Sequence, residues 1–233
     1  MNSAYSKICD ETSIIQIRND VLFLPNQTQP FSGENLCIYE NGQFKIKGQY
    51  TNGFKDGKWT SWSENGIKKT ELTYILGLLK TKTLFSSEHY KKVNQINYIN
   101  GIEESGIYWI YFEIGKLRQK INYKGDKRNG IFTQFYLNGN KEYEGNFIDG
   151  LPQGVWILWH ENGKKEEEAI MVNGERNGTS IHWDENGIKL EEINYMDGEI
   201  NGLWRKFHKN GQKLKDRYFE KGERVGKEIS WHP

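Results

Sequence analysis

The chain has 233 residues with 32 Lys and Arg against 31 Asp and Glu, so it lacks the cationic excess of a protein built to neutralise phosphate backbones, and nucleic acid is not an expected partner. Hydrophobic residues are only 36% of the total while aromatics reach 14%, which predicts a thin core built from Trp, Tyr and Phe. Two cysteines, Cys9 and Cys37, are too few for a disulfide framework and too far apart for zinc-ligand spacing, and read as reduced thiols.

From the N-terminus, residues 1–30 read as a cap, with a short helix near Ala4 to Asp10 and a hairpin through Ile14 to Leu24. No early stretch forms an uninterrupted apolar signal core. No later run approaches the ~18 apolar residues of a spanning helix, so a soluble, cytoplasmic chain is expected. Residues 31–233 repeat at a period of 24. Asn-Gly pairs stand at Asn41-Gly42, Asn65-Gly66, Asn138-Gly139, Asn162-Gly163, Asn186-Gly187 and Asn210-Gly211, with His89-Tyr90 and Ile114-Gly115 in the two intervening slots. A fixed period of this size marks a supersecondary unit that buries its apolar face only by stacking on its neighbours. Each unit reads as two antiparallel strands, as in Lys141 to Phe147 and Gly154 to Trp159. The Asn-Gly pairs suit two-residue type I′ turns, in which both central residues have positive φ. The expected fold is all-β: an elongated, twisted open array of about eight β-hairpins.

Aligned columns give the expected faces. The end of the first strand carries Tyr50, Tyr74, Tyr98, Tyr123, Phe147, Met171, Tyr195 and Phe219. Two residues earlier, on the same face, stand Gly48, Leu72, Ile96, Ile121, Gly145, Ala169, Ile193 and Arg217, so this face is expected to be buried. On the second strand, the column holding Trp62 and Trp159 lies three residues beyond the less regular one holding Trp59, Tyr108, Phe132, Trp156 and Trp204. Alternation sets the two on opposite faces unless a bulge intervenes. The less regular column, turned outward, would form an aromatic stripe whose natural explanation is a protein partner; turned inward, it is core. The second unit departs from the pattern: Thr81, Thr83 and Ser86 replace its glycine and aromatics, and Leu76, Leu78 and Leu79 form an apolar cluster where other units are polar.

Tyr143-Glu144-Gly145-Asn146-Phe147-Ile148-Asp149-Gly150, followed by Gly154-Val155-Trp156, resembles the MORN repeat. The tryptophan two residues after the glycine, seen again in Gly57-Lys58-Trp59 and Gly202-Leu203-Trp204, is similar to the bacterial MORN variant from which YwqK family antitoxins are built. Val21 to Asn26, then Pro30 to Gly33, is similar to the way those proteins enter their first unit. The resemblance covers about residues 21 to 233. It implies an antitoxin or immunity-like role toward a toxin, while MORN arrays elsewhere imply scaffolding or binding to phospholipid headgroups. It supplies no catalytic motif and no cofactor.

The residues themselves favour a non-catalytic protein-binding chain. His160, His208 and His232 share a column with Asp184, but equivalent residues of successive two-strand units stand ~10 Å apart, too far to converge on one metal. They read as solvated residues flanking turns. The carboxylate runs Glu103-Glu104, Glu166-Glu167-Glu168 and Glu191-Glu192 read as solvated strand faces, and no pair is singled out for catalysis. Glycine-rich turns such as Asn173 to Gly178 lack the lysine and helix of a phosphate loop. Partner-contact candidates are Trp59, Tyr108, Phe132, Trp156 and Trp204, with Leu76, Leu78 and Leu79 as a second surface. The alternative is a peripheral membrane protein using Lys45, Lys47, Lys68 and Lys69 against anionic headgroups.

Overall fold

The computed structural model describes residues 7–88 and 91–232. These are all-β and fall into two compact units, Met1–Tyr108 and Trp109–Pro233. In the first, β1 (Lys7–Ile8) pairs in parallel with β4 (Gly33–Ile38), and a separate hairpin joins β2 (Gln16–Arg18) to β3 (Val21–Phe23). From β4 an antiparallel meander continues through β5 (Phe44–Thr51), β6 (Phe54–Trp62), β7 (Lys68–Ile75), β8 (Leu78–Phe85), β9 (Lys92–Ile99) and β10 (Ile102–Tyr111). The second unit is likewise one meander, through β11 (Leu117–Lys124), β12 (Lys127–Phe135), β13 (Lys141–Ile148), β14 (Leu151–Trp159), β15 (Lys165–Val172), β16 (Glu175–Arg176), β17 (Gly178–Trp183), β18 (Lys189–Met196), β19 (Glu199–Phe207), β20 (Lys213–Glu220) and β21 (Glu223–Ser230). The helix expected over Ala4 to Asp10 is not formed by its described part, where Lys7–Ile8 is a strand; Ala4 to Ser6 lie outside the described residues. The expected hairpin is present as β2 and β3.

The Asn-Gly column of Asn41-Gly42 does not form the expected type I′ turns. Two-residue type I′ turns stand instead between the two strands of a unit: Asn52-Gly53, between β5 and β6, has φ of 50° and 79°, and Asp149-Gly150, between β13 and β14, has 50° and 89°. At Asn41-Gly42 only the glycine is positive, at 84°. Gly42 N–H donates to Tyr39 O at 2.9 Å and Tyr39 N–H to Gln43 O at 2.8 Å, which makes a three-residue loop with a type I turn and a left-handed glycine. The asparagine is retained for its side chain. Asn41 Oδ1 accepts from Gln43 N–H at 3.0 Å, while its Nδ2 donates to Glu64 O of the next loop at 2.9 Å. Asn138 and Asn162 clasp Glu161 O and Glu185 O in the same way. Two positions further back in these loops, Tyr136 donates to Trp159 O at 2.7 Å and His160 to Trp183 O at 3.0 Å, with His208 reaching Trp231 O at 3.3 Å. The histidine column thus joins one hairpin to the next, and its members are half-buried rather than solvated, except for His232, which is exposed.

A bulge that sets one residue of the first strand opposite three of the second recurs in five of the described hairpins. Between β13 and β14 the pairing passes from Glu144↔Ile157 to Asn146↔Gln153, so Gly145 alone faces Gly154, Val155 and Trp156. Gly154 takes the left-handed backbone this requires, at φ 78°. Trp156 is thereby laid flat over Gly145, and Trp59 over Gly48 by the same step between β5 and β6. Trp156 then meets Phe147 edge-on at 5.0 Å and stacks on Phe132 at 6.3 Å. This cluster, with Ile121, is the core of the second unit; Ile8, Leu22, Phe31, Tyr50 and Trp59 form that of the first. The Trp159 column lies on the opposite face, where lysines cover its rings, as Lys165 does Trp183 at 5.9 Å and Lys213 does Trp231 at 5.6 Å.

Both ends of the array are modified. Cys9 and Cys37 are not free thiols but a disulfide, because the parallel pairing of β1 with β4 brings their Cα atoms to 4.8 Å. At the last hairpin, Arg217 takes the place of the core isoleucine. Glu228 accepts from Lys215 and Arg217 at 2.7 and 2.6 Å, and these two bonds hold its carboxyl down to about 2.

Candidate binding groove

The first unit contains a cavity of about 450 Å³ between the β2–β3 hairpin and the tips of two I′ turns. Ile17 and Leu22 form one wall, Phe54, Leu76 and Leu78 the other, with Tyr50 and Lys55 at the base. The hairpin is docked by main-chain bonds at Leu22, whose N–H donates to Gly53 O at 3.0 Å and whose O accepts from Phe31 N–H at 2.9 Å. Gly53 is obligatory, since φ is +79° and a Cβ there would run into Val21 and the Leu22 backbone.

Leu76 is the unusual residue. It occupies the first I′ position at φ 45°, where the other described non-glycine residues of positive φ are Asn, Asp and Lys. A left-handed backbone costs a branched apolar residue about 1–2 kcal/mol. Yet Leu76 buries little: it is 61% exposed, with Leu78 at 51% and Ile17 at 67% across the groove. The turn is fixed from both sides, by Gly77 N–H to Lys55 O at 2.8 Å and Leu76 N–H to Asp56 Oδ1 at 3.2 Å. Strain held in place to display an apolar side chain points to a contact surface.

The base of the groove is polar but engaged. Tyr50 O–H donates to Asp10 Oδ2 at 2.9 Å, and the Lys55 ammonium lies 3.9 Å from the same oxygen and 4.2 Å above the Trp59 ring. Burial, with the Asp10 charge adding to it, pushes the Tyr50 phenol well above its ordinary value; burial also raises Tyr74. A raised phenol pKa in the folded state stabilises the fold fully below about pH 10 and ceases to do so as pH climbs beyond it. Stability of the first unit should therefore be flat across neutral pH and fall above about pH 10, with a shallower fall in Tyr50→Phe, read by urea unfolding at successive pH values.

The aromatic stripe offered as a contact surface is not one. Trp59, Phe132 and Trp156 are buried, because the bulge turns their strand segment inward. Tyr108 and Trp204 are half-buried, and the Trp204 indole N–H donates to Glu191 at 2.8 Å with Lys206 and Arg217 beside its ring. Of the apolar cluster, Leu76 and Leu78 line the groove and Leu79 does not. The degenerate second unit keeps its hairpin, with β7 and β8 paired from Thr70↔Leu84 to Ile75↔Leu78; His89 and Tyr90 lie outside the described residues. Sequence reasoning missed Ile17 and Phe54. The signal for the groove was a leucine in a column otherwise held by turn formers. Among the carboxylate runs, Glu167 is bound by Arg176 at 2.6 Å and Glu168 by Lys165 at 2.5 Å.

The MORN repeat variant matches residues 55–75, 128–149, 152–173 and 176–197. The first two matches span the second strand of one hairpin, the Asn-Gly loop and the first strand of the next, and the first of them ends at the lip of the groove. Repeats of this type are generally non-catalytic elements that bind proteins or lipids. No curated protein matches the chain.

Proposed function

We propose that this chain is a non-catalytic protein-binding repeat protein whose contact site is the groove beside Leu76. The observation that carries the reading is the strained, exposed Leu76 facing Ile17 across a cavity large enough for one bulky apolar side chain. The occupant is a segment of a protein partner that inserts such a side chain. The resemblance to the bacterial variant makes a toxin the first partner to test, with this chain as its antitoxin or immunity protein. The Cys9–Cys37 bridge supports work in an oxidising compartment over the cytoplasm. Binding to anionic headgroups finds less support: Lys45, Lys47 and Lys68 are ion-paired to Glu11, Glu34 and Glu71.

The test is Leu76→Asn. Asparagine suits the left-handed position, so the variant should fold with stability equal to or about 1 kcal/mol above that of the parent. Its affinity for the purified product of the adjacent gene, measured by calorimetry, should drop about tenfold or more. Equal affinity in Leu76→Asn and in a Leu76→Asn/Leu78→Ser double variant would remove the groove as the contact site.

A further inference from the structure

The face of the second unit opposite its aromatic core carries an uncovered apolar field. Along the I′ turns, Ile148 pairs with Leu151, and one hairpin on stands Val172; further in, Val155 pairs with Ile170. These five side chains are 38% to 52% exposed. Alternation puts them all on the side away from Phe147, Ala169 and Met171, and every described strand of this unit belongs to the one meander, so no other described strand of the unit covers them.

The charges around this field are ordered. The hairpin on one side presents the cross-strand pair Lys124↔Lys127; on the other side, Val172 pairs with Glu175 and Met196 with Glu199. All four charged residues are exposed, and none has an ion-pair partner among the described residues. The turns bearing them are stacked in register by Gly150 N–H to Arg128 O, Gly174 N–H to Pro152 O and Gly198 N–H to Arg176 O, each 2.9 Å.

We infer that two copies of the chain associate through this face. From a strand spacing of ~4.8 Å, the Lys124–Lys127 pair and the Met196–Glu199 pair stand about 29 Å apart, and the midpoint falls between β14 and β15, within the apolar field. A twofold axis there lays apolar centre on apolar centre. It also sets the basic end of each copy on the acidic end of the other, the self-complementarity that an isologous interface needs.

Sedimentation equilibrium on the full chain tests this. The unaltered chain should form a dimer. Lys124→Glu/Lys127→Glu and Glu199→Lys should each weaken it about tenfold or more by setting like charges together, and an equimolar mixture of the two variants should restore a dimer. The substitutions are on exposed positions, and circular dichroism should show both variants folded. A monomeric parent at high micromolar concentration, dimers indifferent to both charge reversals, or folded variants that fail to pair when mixed would each overturn the inference.

Discussion

Gly145→Ala should destabilise the second unit by about 3 kcal/mol, an unusually large effect for adding one methyl group. A Cβ at Gly145 would stand well inside van der Waals contact of Trp156 Cδ2, Cε2 and Cε3. The backbone cannot retreat, because Gly145 is paired with Phe132 on one side and lies between pairs with β14 on the other. The indole must lift instead, giving up its contacts with Phe147, Phe132 and Tyr143 at 5.0, 6.3 and 5.2 Å. Trp156→Ala removes the same contacts outright and should cost about 3–5 kcal/mol. Because both changes remove one packing arrangement, the double variant should be scarcely less stable than Trp156→Ala alone. Urea unfolding of the four chains gives the cycle. Simple additivity of the two costs would show that Gly145 does not act through Trp156.

The same pairing explains why one tryptophan of the column behaves differently. Gly48 and Gly145 lie beneath Trp59 and Trp156, which are buried, whereas the matching residue for Trp204 is Ile193, paired directly with it. A branched side chain in that slot props the indole up, and Trp204 remains half-exposed with its N–H on Glu191. The rule is readable in the sequence once the bulge is known: glycine in the first strand with tryptophan in the second means a flat, buried ring.

The period, the strand pairs and the buried face of Tyr50 and Phe147 follow from residues a few positions apart, and these were legible. Which asparagine makes which turn was not. Asn52-Gly53 and Asn41-Gly42 are the same dipeptide, and the difference lies in whether two or three residues separate the paired strands. The bulge was harder still. Nothing in the spacing says that one residue would oppose three, because that depends on what the ring of Trp156 does once it arrives over Gly145. The groove was half legible. Leu76 stood out against its column, while Ile17 on the facing wall belongs to a hairpin outside the repeat, and no periodicity places it.

Reduction of the Cys9–Cys37 bridge should lower the stability of the first unit by about 3.5 kcal/mol, the closure entropy of a loop whose ends are 28 residues apart in sequence. Spacing alone hid this bond, since only the parallel pairing of Lys7–Ile8 with Glu34–Asn35 brings the cysteines together. Its loss should act locally. Asp10, next to Cys9, takes the Tyr50 hydroxyl and faces Lys55, and its N–H donates to the wholly buried Asn35 at 2.8 Å. These contacts hang on a two-residue strand that the disulfide pins to the sheet. With a dithiol reductant, hydrogen exchange at the amides of Ile8 and Asp10 should rise by orders of magnitude, while Gly150 and Gly174 in the second unit exchange at their former rates. Cys9→Ser/Cys37→Ser should reproduce the change and then ignore the reductant. Unaltered protection around Asp10 after alkylation has confirmed both thiols would mean that the parallel strand and the Asp10–Tyr50 bond hold the cap without the bridge.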